Sequence, residues 1–248
     1  MPRFPIPRAA GTVVIDPPSP PGSQVDRLLD RYRVVADATA QTERPLLLAG
    51  DCLTAVAAVA GLQRQHRDLA LVWLDGHGDF NTPAITISGY LGGMPLAMLT
   101  GRSPEPLCDP LGVRAIPEQR AVLIDARELD PAEDAAIRSS QVSHIAADPR
   151  QVRQAMSELH GTPVYLHVDA DVVDGDELPG LRFPAGGGPA LAQVEKCLTE
   201  IVSGTRVVAA CIACTWSPER VGDDEARRAI TRIGAAVGAE LHWDVGGS

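Results

Sequence analysis

In the stretch LVWLDGHGDFNTP (71–83), Asp75, His77 and Asp79 recur at every second position, spaced by Gly76 and Gly78. An extended backbone points residues i, i+2 and i+4 to one side. Two carboxylates and an imidazole would then converge on one spot, where the negative charges repel unless a cation sits among them. Carboxylate oxygen and neutral imidazole nitrogen are common donors to divalent cations, so the pattern predicts a metal site. A second acidic pair, Asp169 and Asp171 in HVDADV (167–172), repeats the i, i+2 spacing at the end of another apolar run. Five donors, four of them anionic, are more than one ion accepts comfortably. Two divalent ions about 3.5–4 Å apart, bridged by carboxylates, would suit them.

Elements that could carry these residues follow from the apolar pattern. Strands are expected at 45–51, 69–75, 120–126, 163–171 and 206–215, with a weaker one at 143–148. Helices are expected at 24–40, 53–66, 131–140, 149–160, 189–203 and 223–239. Strands apolar on both faces and separated by helices indicate an α/β fold with a mostly parallel sheet covered on both sides. Several strands end on polar residues: Asp51 with Cys52, Asp75, Asp125, and Asp169 with Asp171. Ligands of open α/β sheets bind at the carboxyl ends of the strands, so these residues are expected along one edge.

The 248 residues, 45% hydrophobic and 22% charged, suit a single domain over 1–248, with residues 1–44 as an abbreviated, irregular N-terminal region. DPPSPPGS (16–23) reads as a stiff connector. Net charge −10 argues against nucleic acid and anionic membrane as partners. No apolar segment reaches the roughly 18 residues of a membrane span, and the start MPRFPIPRAAG has no signal-peptide apolar region. Five scattered cysteines do not form a disulfide framework, so a reducing, cytoplasmic setting is expected.

The motifs AGDCL (49–53), DGHGDFNTP (75–83), SGYLGGMP (88–95), ELDPAE (128–133) and HVDADV resemble, in order, those of the arginase–agmatinase (ureohydrolase) family, from about Leu46 to Pro218. The resemblance implies a three-layer αβα fold and a centre of two Mn(2+) ions that hydrolyses a guanidino C–N bond. One metal would take Cys52, Asp75, Asp79 and Asp169, the other Asp75, His77, Asp169 and Asp171. Asp75 and Asp169 would bridge, holding the hydroxide that attacks the guanidino carbon. Asn81 and Ser88 fall where arginine-specific members hold the α-carboxylate, and Asp130 and Glu133 where they hold the α-amino group. The expected partner is therefore a small guanidino substrate with an amino acid head. A homo-oligomer is implied by the resemblance alone, since no interface signature is visible.

Three positions depart from that pattern. Cys52 stands where a metal-binding histidine is usual, and a thiolate suits zinc or iron better than manganese, so other divalent ions remain open. Gly92 replaces a histidine thought to shuttle protons. Thr215 replaces a glutamate that pairs with the substrate guanidinium. Hydroxylating a guanidino nitrogen lowers its basicity, which removes much of the need for both lost groups. The Cys-for-His exchange is also similar to the hydroxyarginine-hydrolysing branch known from cycloserine antibiotic biosynthesis. The sharpest expectation is hydrolysis of Nω-hydroxy-L-arginine to L-ornithine and hydroxyurea. Two alternatives stay open: another amidine substrate (arginine, a guanidino acid, formiminoglutamate), and a family member without catalysis that serves as a metal-binding subunit.

Plainer readings remain beside these. Cys52 is either a ligand or a buried core thiol. Asn81, Ser88, Asp130 and Glu133 could simply cap turns and a helix start. Tyr90 either packs or offers a polar hydroxyl to substrate. His167 reads as a structural histidine, and Cys211 and Cys214 as strand residues facing opposite sides.

Overall fold

The computed structural model describes Ile15 and residues 23–213, 215–217 and 224–238. The proline-rich connector apart from Ser23, Cys214 and Pro218 lie outside these.

Six strands form one sheet: β1 (Leu46–Ala49), β2 (Ala70–His77), β3 (Ala121–Glu128), β4 (Ser143–Ile145), β5 (Pro163–Asp169) and β6 (Arg206–Ala213). Their order is β1-β6-β5-β2-β3-β4, and each pairing is parallel. The expected parallel α/β sheet is present. From β2 the chain winds outward one way through β3 and β4, then returns to lay β5 and β6 on the other side of β2. The switch in winding therefore falls between β2 and β5, where α/β sheets open a crevice beyond the strand ends. Trp73 is level with His167 and Leu74 with Val168. That register carries Asp75 and Asp169 to adjacent strand ends.

Strand alternation divides the interior in two. Ala70, Val72, Leu74, Val164, Leu166 and Val168 face helices α6 (Pro149–Glu158), α7 (Leu191–Gly204) and α8 (Asp224–Gly238). Leu71, Trp73, Leu123, Tyr165 and Cys211 face α1 (Gln24–Gln41), α2 (Thr54–Leu62), α3 (Pro95–Leu99) and α5 (Pro131–Arg138). Asp75 and Asp169 continue this second set by parity, so the acids emerge on the α2–α3 side. Here α2 is decisive, because it buries eight of its nine residues and fixes the turn bearing Cys52.

Sequence periodicity located the long elements and missed α3 and α4 (Cys108–Leu111), whose five and four residues are too few to show a helical repeat. α1 starts as its sequence specifies. Ser23 Oγ accepts from Asp26 N–H at 3.2 Å and Asp26 Oδ2 accepts from Ser23 N–H at 3.0 Å, a reciprocal capping box. α1 packs on α2 through Gly61, where an added Cβ would lie 2.3 Å from the Ala36 carbonyl oxygen and 2.9 Å from Thr39 Cβ.

That contact decides the sign of a substitution. Gly61→Ala gains about 1 kcal/mol of helix propensity. It also forces two helix backbones apart, and overpacking of this kind costs typically 1–3 kcal/mol. The expected outcome is a net loss of about 1 kcal/mol in urea denaturation, and a more stable variant would contradict the close packing.

Candidate metal centre

At the mouth of the β2–β5 crevice, Asp75 is clamped before anything else binds. Trp73 Nε1–H donates to its Oδ2 at 3.2 Å, and His77 N–H donates to its Oδ1 at 2.7 Å. The β2–β3 register slips between Asp75 and His77, a bulge that turns the strand end. Asp79 does not continue the extended strand as its spacing suggested. β2 ends at His77, and Asp79 sits in the left-handed region at φ 49°. Its carbonyl accepts from Leu96 and Ala97 N–H at 3.0 and 3.2 Å, so the start of α3 pins the turn that swings its carboxylate inward.

The second acidic pair is also held by backbone. After β5 the chain turns through a short 3₁₀ segment, Ala170–Val172, and Asp171 N–H donates to Asp169 Oδ1 at 3.1 Å. Gly76 N–H reaches across to Asp171 Oδ1 at 3.0 Å. His77 Nδ1 lies 3.1 Å from Asp171 Oδ2 and 3.5 Å from Asp75 Oδ1. Cys52, in the turn before α2, donates its thiol to Asp169 Oδ2 at 2.8 Å and lies 3.9 Å from Asp75 Oδ2.

Five of these six residues form two overlapping donor groups. Ligand atoms of Cys52, Asp75 and Asp79 lie within 4.8 Å of one another, as do those of Asp75, His77 and Asp171. Asp75 is common to both. Asp169 belongs to neither by that measure and instead abuts Cys52. The fully enclosed Asp79 Oδ2 has no hydrogen-bond partner, which leaves a carboxylate lone pair open toward a cation. Oxygen, nitrogen and sulfur donors in two groups that share a carboxylate fit a pair of divalent ions, and the thiol admits zinc or iron alongside manganese.

The electrostatics are those of crowded acids. Burial first, then the Asp171 charge, lifts the Asp75 carboxyl from 3.8 to about 7. Asp79 and Asp169 are pushed well above the carboxylate range, again by burial and then by their neighbours. The Cys52 thiol is raised by burial and by Asp169. Burial alone would lower His77, but hydrogen bonds to Asp171 and Asp75, and their charges, lift it to about 12.

A cavity of about 660 Å³ opens over the centre and is lined by all six of these residues. Asn81, Ser88, Asp130 and Glu133 line it too, as do Tyr90, Gly92, Arg182, Phe183 and Thr215. Asn81 Oδ1 is buried without a partner. Ser88 and Glu133 also serve the plainer role. Ser88 Oγ accepts from Tyr90 N–H at 3.2 Å, and Glu133 accepts from Phe80 N–H at 2.8 Å. Asp130 starts α5 with no capping bond from its side chain.

Asp51 and Asp125 do not join the cluster. Asp51 lies apart at the start of α2, its carboxyl raised by burial. Asp125 pairs with Arg127, a residue the sequence gave no reason to single out. The Arg127 guanidinium donates to the carbonyls of Asp171, Val172 and Ala185 at 2.9, 3.1 and 2.8 Å, stapling the loop that carries Asp171 to β3. Nothing in the ARE spelling distinguishes this arginine from a surface one. His167 is enclosed, stacked 3.8 Å from Trp73, with Nδ1 3.3 Å from the Tyr165 hydroxyl and its pKa lowered by burial to about 3. Cys211 is buried in β6 beside Tyr165.

The arginase family profile matches residues 8–240. The N(omega)-hydroxy-L-arginine amidinohydrolase of Streptomyces lavendulae is 29% identical over 188 residues, covering 76% of this chain and 66% of that protein. The arginase of Staphylococcus aureus is 31% identical over 154 residues, covering 58% of this chain and 51% of its own length. The chain thus spans between about half and two thirds of these relatives. The crystal structure of arginase from Bacillus subtilis superposes with a TM-score of 0.79 at 23% identity, covering 88% of this chain and 81% of that one. That likeness establishes the fold.

The acid cluster makes stability depend on pH in a defined direction. With divalent ions removed by chelation, Asp75 titrates at about 7 in the folded state against 3.8 as its ordinary value. A raised carboxyl binds protons that the unfolded chain has already lost, so stability falls as pH rises through that window and levels above it. Denaturation midpoints of chelated protein should therefore drop between about pH 4 and about pH 7 on account of this cluster, and added manganese should flatten the drop. Chelated protein that grows more stable across the window would count against the arrangement.

Proposed function

We propose a function that starts from one plain fact: the chain belongs to the arginase family. It is a divalent-metal-dependent hydrolase that cleaves a C–N bond of an amidino group on an arginine-like amino acid, with Nω-hydroxy-L-arginine as the substrate and L-ornithine and hydroxyurea as products. The observation that carries the reading is the pair of donor groups sharing Asp75 at the floor of a cavity whose wall holds Gly92 and Thr215.

Cys52, Asp75, Asp79 and Asp169 would hold one ion, and Asp75, His77, Asp169 and Asp171 the other, with Mn(2+) as the family's usual choice. When bound, the ions would supply Lewis acidity and make water nucleophilic near neutral pH. The chain's own residues do the rest. Trp73 and the Gly76, His77 and Asp171 amides fix the carboxylates, so that little reorganisation is left for the reaction. Asp130 and Glu133 put negative charge where an α-ammonium would dock. Asn81 and Ser88 line the same cavity and would meet the α-carboxylate.

Charge then selects the reacting end. Thr215 offers a hydroxyl where a carboxylate would be needed to offset a buried guanidinium, and stranding a charge without a partner costs several kcal/mol. An N-hydroxylated amidine, less basic than a guanidinium, enters uncharged at far smaller cost. The S. lavendulae relative, named for hydroxyarginine, supports this choice over arginine itself.

Manganese-loaded protein should give a kcat/KM on Nω-hydroxy-L-arginine about 100-fold above that on L-arginine, the discrimination expected from a few kcal/mol of unpaired charge. Scoring hydroxyurea, urea and formamide separately distinguishes the amidine classes, and arginine turnover equal to or above that of hydroxyarginine would end this reading. Cys52→Ser should lower the metal bound per chain by elemental analysis, from about two toward one. Unchanged occupancy would return Cys52 to the core.

A further inference from the structure

Arg127 does more than tie down a loop. A guanidinium has five N–H donors, and here each of them meets an acceptor. Nε donates to the Gly186 carbonyl at 3.1 Å. Nη1 donates to Asp125 and to the Val172 carbonyl at 3.1 Å, and Nη2 to the Asp171 and Ala185 carbonyls at 2.9 and 2.8 Å. These carbonyls lie on both limbs of one excursion, which leaves the end of β5 at Asp171 and returns to α7 after Gly188. The limbs are joined at their base. Gly175 N–H donates to the Ala185 carbonyl at 3.1 Å, Asp174 N–H to the Pro189 carbonyl at 3.0 Å, and Gly188 N–H to Asp174 Oδ2 at 2.7 Å. Arg127 thus fills the eye of a closed loop. The fit is tight, since a Cβ added to Gly188 would overlap the guanidinium, 2.8 Å from Nη1.

One end of that loop belongs to the metal cluster. Asp171 has its carbonyl on Arg127, while its carboxylate accepts from Gly76 N–H at 3.0 Å and lies 3.1 Å from His77 Nδ1. A shift of the peptide therefore carries the carboxylate with it. Asp171 N–H also reaches Asp169 Oδ1 at 3.1 Å, but Asp169 is the last residue of β5 and Cys52 holds its other oxygen at 2.8 Å. Arg127 is itself aimed by the sheet. From Asp75 to His77 on β2 the partner strand runs from Asp125 to Glu128, one residue more, and Asp125 and Ala126 take left-handed φ of 80° and 49°. Asp125 pairs with the guanidinium, so what this arginine passes to the cluster is position rather than net charge. Cys52 and Asp79 are set by other elements, the turn before α2 and the start of α3.

We propose that Arg127 is a positioning residue for one ion of the pair. By holding the Asp171 peptide it sets the affinity of the Asp75–His77–Asp171 group for its divalent ion and leaves the Cys52–Asp75–Asp79 group alone. The assignment rests on the two-ion reading given above and adds a residue that acts on one ion without touching either.

The test titrates the full chain, first chelated, with manganese followed by the EPR signal of the free ion. Cobalt serves as a second probe, because cobalt bound to a thiolate absorbs in the near ultraviolet and so marks the Cys52 group. Arg127→Lys keeps the charge but replaces a planar fork of five donors with three. Gly188→Ala keeps the arginine and displaces it, and as the milder change it decides the matter should Arg127→Lys fail to fold. In each, one of the two dissociation constants should rise about 10- to 100-fold, the range for lost support of a metal ligand. The other should move less than about twofold, and the cobalt–thiolate absorbance should persist. Because both changes act through one guanidinium, the double variant should be little worse than Arg127→Lys alone. Both constants rising together, wild-type constants in either variant, loss of the thiolate absorbance, or full additivity would each overturn the assignment while leaving the two-ion reading intact. A wild type that binds fewer than two manganese ions per chain, or whose cobalt form shows no thiolate absorbance, removes that reading and the assignment with it.

Discussion

Four carboxylates packed at two adjacent strand ends are the constraint around which this fold is arranged. Asp75, Asp79, Asp169 and Asp171 are buried or nearly so, and like charges at such distances cannot all ionise without compensation. In the protein alone, protons on the raised carboxyls and a positive charge on His77 supply part of it. Both are displaced or neutralised when a dication arrives, because metal ligands must be deprotonated. The crowding that raises these carboxyls is the same crowding that a dication among them would relieve.

Holding repelling groups in place needs scaffolding that does not itself add negative charge. The chain uses backbone amides, an indole N–H and one arginine. The indole of Trp73 is tied to Asp75 on one side and stacked on His167 on the other, so the enclosed histidine serves the acid cluster by packing rather than by ligation. Arg127 satisfies loop carbonyls that leave the sheet without strand partners, and it answers Asp125 at the same time. Removing such an arginine would leave several buried acceptors unmet, which is why its role is positional although no part of it enters the cavity.

The legibility of all this in the sequence was uneven, and the reasons are physical. Apolar runs and helix starts located the long elements because burial imposes a period, and the DGHGD and DAD spellings disclosed the acids because alternate residues of a strand share a side. The route by which Asp79 joins them was not legible. Alternation suggested a continued strand, whereas a left-handed turn pinned by α3 does the work. Arg127 and Trp73 were equally silent, since a hydrogen bond to a loop carbonyl or to a neighbouring acid leaves no repeat in the chain. Asp51 and Asp125 show the opposite error. Both have the right residue type at a strand end, but Arg127 claims Asp125, and Asp51 lies outside the donor groups and the cavity wall.

Positions 92 and 215, where the family resemblance leads one to expect a histidine and a glutamate, put uncharged residues on the wall of the cavity beside the clustered acids. Here a side chain at 92 would have to displace the Tyr90 ring, and the Thr215 hydroxyl donates to the Gly50 carbonyl. Meanwhile the acids retain a mutual repulsion that a chain freed from metal binding would be expected to relieve, since a single carboxylate-to-amide change would suffice. An electrostatic cost kept in full, next to a wall of uncharged groups, is the combination expected of a cluster that still has a cation to receive.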